Sequence, residues 1–264
     1  MSKKREDLAN TKPSNEMYNF YQHKKVKELL TQYHNPNFDE HQINIPFRMG
    51  ICASSGGGKT MLVLNIISKM YDTFGHIFVV YKASEPLYEF LAKQIGEKNI
   101  TFFTNIAKFP PLNELPKDRP LLCIFDDCVT LPEKSQEIIK EIAIRGRKYG
   151  KSISLLYLTQ SFYRVPRLIR LQFNYLVLLK LGSRRDVDMI MNECSLGVEK
   201  DVLLKLYKDA TKEKFHFLKI DLDTSNDDKN LAIILMIFIK LKVIATMKRK
   251  KPKIFYRKYV LRCR

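Results

Sequence analysis

The segment Ala53-Ser54-Ser55-Gly56-Gly57-Gly58-Lys59-Thr60 limits what this chain can fold into more than any other stretch. A β-prone run at 47–52 leads into it, and residues 61–70, free of Gly and Pro, follow it. Strand, glycine loop and helix in that order are the context of a P-loop. Three successive glycines let the backbone turn tightly and aim its N–H groups at one point. The helix behind adds its unpaired N–H groups and the positive end of its dipole. The result is a cradle for nucleotide phosphates, formed by Ser54, Ser55, Gly56, Gly57 and Gly58. Lys59 is expected to reach the β- and γ-phosphates, and the Thr60 hydroxyl to take one position on Mg²⁺. The plainer reading is a glycine-rich turn, and the full pattern has Gly where this chain has Ala53. The following helix is apolar on nearly every face and therefore buried, which suits the helix behind a P-loop.

A second landmark is the run Leu121-Leu122-Cys123-Ile124-Phe125-Asp126-Asp127. Five apolar residues ending in two carboxylates predict a buried parallel strand with an acidic C-terminal end, where α/β sheets bind their ligands. This is the Walker B form: Asp126 is expected to hold Mg²⁺ through water and Asp127 to orient the attacking water. An acidic turn after a core strand is the simpler alternative; behind a P-loop, the catalytic reading is stronger.

The rest of the chain falls into three parts. Residues 1–42 are polar and basic and read as an arm, with a helix at 16–33 ended by Asn35-Pro36-Asn37. Residues 43–223 alternate strand and helix as one α/β ATPase domain, with strands at 77–81, 100–103, 153–159, 174–180 and 215–220 and helices at 86–95, 132–149, 184–194 and 198–207. Residues 224–264 form a basic tail with an apolar run at 231–239, too short to span a bilayer. Met1-Ser2-Lys3-Lys4-Arg5 leads into polar sequence rather than a signal segment. The five cysteines lack metal-ligand or disulfide spacing, which predicts reduced thiols in an intracellular protein.

A net charge of +18 points to a polyanionic partner, nucleic acid or an acidic membrane surface. Between Lys140 and Arg185 stand eleven Lys/Arg and one acid, Glu141. So one-sided a run repels itself unless something negative lies against it. Arg164, Arg167 and Arg170 recur every three residues, which predicts one side of a helix. Gln160 ends the strand at 153–159, where a polar side chain can touch a γ-phosphate or water; a strand-end cap is the simpler role.

Taken in order, ASSGGGKT, LLCIFDD and RGRKYGKSISLLYLTQSFYRVPRLIR resemble the genome-packaging ATPases of the FtsK–HerA superfamily, found in large eukaryotic DNA viruses, virophages and related transposons. The resemblance covers roughly 43–223 and is carried most by the third segment. It implies a P-loop NTPase of the ASCE, RecA-like type, a three-layer sandwich with a mainly parallel sheet in which the strand ending at Gln160 lies between the two Walker strands. It further implies Asp127 as the base-like residue, Gln160 as γ-phosphate sensor, and Arg147 as the arginine placed at a ring interface, with Arg145 as the alternative. ATP and Mg²⁺ are the implied cofactors. The implied partners are double-stranded DNA, further copies of the chain in a ring, and a capsid protein or portal vertex, with no membrane span. The implied location is the virion or a viral factory in the host cytoplasm.

The leading reading is therefore ATP-driven translocation of double-stranded DNA into a preformed capsid. Another FtsK–HerA motor would usually bring a membrane segment or accessory domains. A P-loop small-molecule kinase predicts turnover without DNA and leaves the basic stretch idle. A non-enzymatic nucleic-acid-binding protein leaves GGGKT and IFDD unexplained.

Overall fold

In a computed structural model of the chain, residues 19–28, 33–83, 85–194 and 199–223 are described. They divide into two compact units at His34/Asn35. In the first, a 3₁₀ turn Phe20–Gln22, capped by the Asn19 side chain, is followed by one helical turn, Lys24–Lys27. Part of the helix expected at 16–33, and the whole segment 224–264, lie outside the described residues.

The second unit is built on seven strands: β1 (Arg48–Cys52), β2 (His76–Val80), β3 (Ile100–Phe103), β4 (Leu121–Asp126), β5 (Ile153–Thr159), β6 (Tyr175–Leu178) and β7 (Leu218–Asp221). They form one sheet in the order β3-β2-β4-β5-β1-β6-β7. Every pairing is parallel except β6 with β7. The strand ending at Gln160 thus lies between the two that carry the P-loop and the acidic pair, with Ile51 opposite Leu158 and Asp126 opposite Leu158 from the other side. The long helices are α1 (Lys59–Lys69), α2 (Pro86–Ile95), α3 (Glu133–Arg145), α4 (Arg184–Glu193) and α5 (Lys200–Ala210).

The three-layer sandwich follows from how strands alternate their side chains. In β4, Leu122 and Ile124 point to one face, where they join Leu62, Val63, Ile66 and Ile67 of α1 and Tyr88, Leu91 and Ala92 of α2. Leu121, Cys123 and Phe125 point to the other and join Ile139, Ile142 and Ala143 of α3, Ile190 and Met191 of α4, and Leu203 and Tyr207 of α5. Because both faces are covered, β4 and β5 are buried along almost their whole length without alternation and are mostly apolar, as buried parallel strands are.

Residues 35–42 pack onto this unit. Asn35 Nδ2 donates to the Ile43 carbonyl and Asn37 Nδ2 to that of Lys69, while His41 is buried. The stretch 161–171 is not one helix. Only Arg167–Arg170 is helical, because Pro166 lacks the N–H and the freedom to extend the turn backwards. Arg170 does not join a basic face: its guanidinium donates to the carbonyls of Phe162, Tyr163 and Val165 and pairs with Glu193 at 3.2 Å. The cysteines Cys52, Cys123, Cys128 and Cys194 are buried free thiols. Among the described residues no helix is long and apolar enough to cross a membrane.

Candidate nucleotide site

The C-terminal ends of β1, β4 and β5 meet at one edge of the sheet, and the loop after β1 is pinned there from both sides. Ala53 N donates to Thr159 O at 3.2 Å, and Ser54 gives both its N–H and its Oγ–H to Lys180 O, at 3.2 and 3.0 Å. The left-handed residues of the loop are Gly56 and Gly58, with φ of +67° and +94°. Ala53 keeps an ordinary negative φ and is fully buried, so replacing the pattern's first glycine by alanine strains nothing. Gly57 N closes the turn on Ser54 O at 3.0 Å. Lys59 opens α1 and is nearly buried, and no ion pair among the described residues engages its ammonium. Thr60 follows it in the first turn of the same helix.

Asp126 and Asp127 end β4 differently. Asp126 Oδ2 accepts a hydrogen bond from the Tyr88 hydroxyl at 2.8 Å. Burial raises the Asp126 carboxyl above its ordinary pKa; the Tyr88 bond and Lys59 pull it down, and Asp127 pushes it up. Burial, and then the facing Asp126, push the Tyr88 hydroxyl far above its usual range, so it stays a donor. Asp127 takes a left-handed φ of +49°, a region Asp tolerates better than most residues. Its N–H is held by Leu158 O at 3.1 Å and its Oδ2 by Gln160 Nε2 at 2.8 Å. Asp126, Asp127 and Gln160 therefore stand at the ends of the adjacent strands β4 and β5, and Lys59 and Thr60 open the helix behind the loop that follows β1 on the other side of β5.

The oxygen donors available there, the Thr60 hydroxyl and the Asp126 carboxylate, are of the hard type Mg²⁺ takes. Among the described residues no cluster of three or more His, Cys, Asp or Glu can hold a metal by itself. Such a sparse donor set fits Mg²⁺ shared with nucleotide phosphates and water, not a cage made by the protein alone.

Arg147 and Arg145 are not brought to this edge. Arg147 lies in the 3₁₀ turn Gly146–Lys148 before the N-terminal end of β5, close enough to Arg48 at the start of β1 to depress its pKa, after the larger effect of burial. The seven-residue strand between Arg147 and Gln160 spans about 20 Å. Arg145 is exposed and paired with Glu141 at 3.0 Å.

Two residues here escaped the sequence reading. Tyr88 carries no local signal, since an aromatic on the buried face of a helix usually only packs. Asp186 did carry one: Ser183-Arg184-Arg185-Asp186 has capping-box spacing, and the Ser183 side chain caps α4 by accepting from Asp186 N. Buried Asp186 uses Oδ1 to accept from Ser161 Oγ at 3.0 Å and Tyr163 N at 2.8 Å, so it fixes the loop that follows Gln160.

Sheet order, glycine loop and acidic strand end define the class: this is a P-loop protein of the α/β type. More particularly, the chain belongs to the poxvirus A32 protein family, whose sequence profile matches residues 36–259. It is 27% identical over 198 residues to the DNA packaging protein OPG160 of vaccinia virus (strain Copenhagen), a match covering 70% of this chain and 72% of that one. To the variola virus protein of the same name it is 28% identical over 176 residues, 62% of this chain and 64% of that one. Its backbone is similar to the crystal structure of B204, the DNA-packaging ATPase from Sulfolobus turreted icosahedral virus, with a TM-score of 0.48 and 13% identity over 69% of this chain and 95% of that one.

Proposed function

We propose that this chain is a DNA-packaging ATPase that uses ATP to move double-stranded viral DNA into a preformed capsid. The observation that carries the reading is the Gln160–Asp127 contact of 2.8 Å beside the P-loop, in a chain of a family whose relatives are named DNA packaging proteins. Phosphoryl transfer needs positioning and charge cancellation more than covalent chemistry. The backbone N–H groups of Ser55, Gly56 and Gly58–Thr60, with the Lys59 ammonium, bind and neutralise the phosphates. Gln160 holds one Asp127 oxygen, which leaves the other to take a proton from the attacking water. Thr60 and Asp126 would hold Mg²⁺, which when bound offsets charge on the β- and γ-oxygens.

With Arg147 on the far edge of the sheet, its own nucleotide is out of reach, so a finger role requires a neighbouring subunit. We place Arg147, with Arg145 as alternative, at the interface of a homo-oligomeric ring. DNA contact falls to two exposed basic groups: Arg145, Arg147, Lys148 and Lys151 at the edge away from the nucleotide, and Arg164, Arg184 and Arg185 at the nucleotide edge. The second group is tied by Asp186 to the loop after Gln160, a short path from γ-phosphate to DNA. Partners beyond DNA are a capsid protein or portal vertex, in the virion or a viral factory. The domain limits 1–42, 43–223 and 224–264 remain our proposal.

ATP hydrolysis by wild type, Lys59→Ala and Asp127→Asn, with and without duplex DNA, tests the reading. Lys59→Ala should lose nucleotide binding or turnover, and Asp127→Asn should keep ATP bound but unhydrolysed. DNA should stimulate the wild type, with binding that weakens linearly in log salt and ignores sequence. Wild-type turnover by both variants would remove the site; turnover indifferent to DNA would favour a kinase.

A further inference from the structure

The turn before β7 carries an aromatic ring beside the P-loop. Because β7 runs antiparallel to β6, with Leu218 opposite Leu178, residues 211–217 lie at the nucleotide edge of the sheet, on the side of β1 away from β5. His216 N donates to Glu213 O at 3.2 Å and closes a tight turn. Phe215, its third residue, has a φ of +68°. That position favours Gly or Asn, and a bulky side chain there is uncommon. The ring touches the P-loop itself: a Cβ added to Gly58 would stand 2.7 Å from Phe215 Cδ1. Yet the residue is 40% exposed, unlike a side chain kept for packing. The Lys214 ammonium stands 4.9 Å from the ring centroid, so a face of the ring already accepts a cation from solvent.

We propose that Phe215 is the nucleobase platform of this site. Phosphates held by Gly58–Thr60 leave ribose and base to extend toward the β6–β7 side, and an exposed ring there offers a stacking partner. A base takes the face beside Lys214 by displacing an exposed side chain. Stacking uses the π face that every base has, so the platform separates nucleotides from bare triphosphate and discriminates weakly among bases. The inference rests on the phosphate cradle proposed above.

The sequence contains no tryptophan, so Phe215→Trp in the full chain introduces a single reporter at the platform. ATP should quench or shift its emission, and inorganic tripolyphosphate should not. Phe215→Ala should weaken ATP binding about 10-fold or more while leaving tripolyphosphate affinity unchanged, and Phe215→Tyr should bind ATP like wild type. Equal emission changes with both ligands, or equal affinity losses for both in Phe215→Ala, would show that the ring only packs on the P-loop and overturn the platform. Wild-type protein that binds neither ligand would overturn the phosphate cradle, and the platform with it.

Discussion

The Tyr88 hydroxyl sits 2.8 Å from Asp126 Oδ2, so the first carboxylate of the acidic pair is oriented by α2, the helix that follows β2 and packs on the same face of the sheet as α1. The bond favours the ionised carboxylate against the burial that disfavours it. Tyr88→Phe removes the donor and nothing else of size. Asp126 is then protonated at higher pH, so the acid limb of the pH–rate profile for hydrolysis should move upward, with a loss of about 10-fold near that limb and little change in stability. An unmoved acid limb would mean Tyr88 serves packing alone.

Arg147 should act across a subunit boundary. A trans arginine is worth about 10³–10⁵ in rate in comparable enzymes. Arg147→Ala should therefore bind ATP normally and hydrolyse it poorly. Mixed with Lys59→Ala subunits, which are also inactive, it should regain activity at interfaces where an intact Lys59 meets a neighbour's intact Arg147. Absence of recovery in rings shown by native mass spectrometry to be mixed would assign Arg147 a structural role; loss and recovery with Arg145→Ala instead would move the finger two residues upstream.

Lys219 gives stability a pH dependence. It is buried on β7, donates to the Gln42 carbonyl at 2.6 Å and lies 5.2 Å from the Tyr175 ring centroid. Burial lowers its pKa to about 8, with Asp221 opposing. The folded state then binds fewer protons than the unfolded state between about pH 8 and the ordinary lysine value, so stability from this group rises with pH through that window and is flat below it. Relative to Lys219→Met, wild type should gain about 2–3 kcal/mol between pH 7.5 and 10 in denaturant titrations. A constant difference would place the ammonium in water.

Gly50 lies in the middle of β1, where the Phe173 ring crosses it; an added Cβ would meet Phe173 Cε2 at 2.7 Å and Leu176 Cδ1 at 3.1 Å. Gly50→Ala should cost about 1–3 kcal/mol of stability by overpacking, read as a lower denaturation midpoint at unchanged slope. A Phe173→Leu background should relieve most of that cost.

Most of the strands and the glycine loop after β1 were legible in the sequence because each signal is local. Apolar runs at 121–125 and 155–158 end in polar residues, and GGGKT joins a strand to a helix. Arg164, Arg167 and Arg170 misled for the same reason: spacing of three reads as a helix face, but Pro166 cuts the helix and Arg170 donates to the backbone carbonyls of Phe162, Tyr163 and Val165. The contacts of Tyr88 with Asp126, Asp186 with Ser161 and Phe215 with Gly58 join residues 38, 25 and 157 positions apart, and only the folded sheet brings them together. The opposite placement of Arg147 and Gln160 follows from β5 once it is seen as a single straight strand in mid-sheet.

A DNA-packaging ATPase should move duplex DNA as it hydrolyses ATP. Displacement of a third strand from a DNA triplex, followed by fluorescence during ATP turnover, reads that movement directly. Wild-type protein should strip the third strand only with hydrolysable ATP, and Asp127→Asn should leave it in place although it binds both ATP and DNA. Hydrolysis by the wild type with the triplex intact, or displacement by Asp127→Asn at the wild-type rate, would show that hydrolysis does not drive DNA movement.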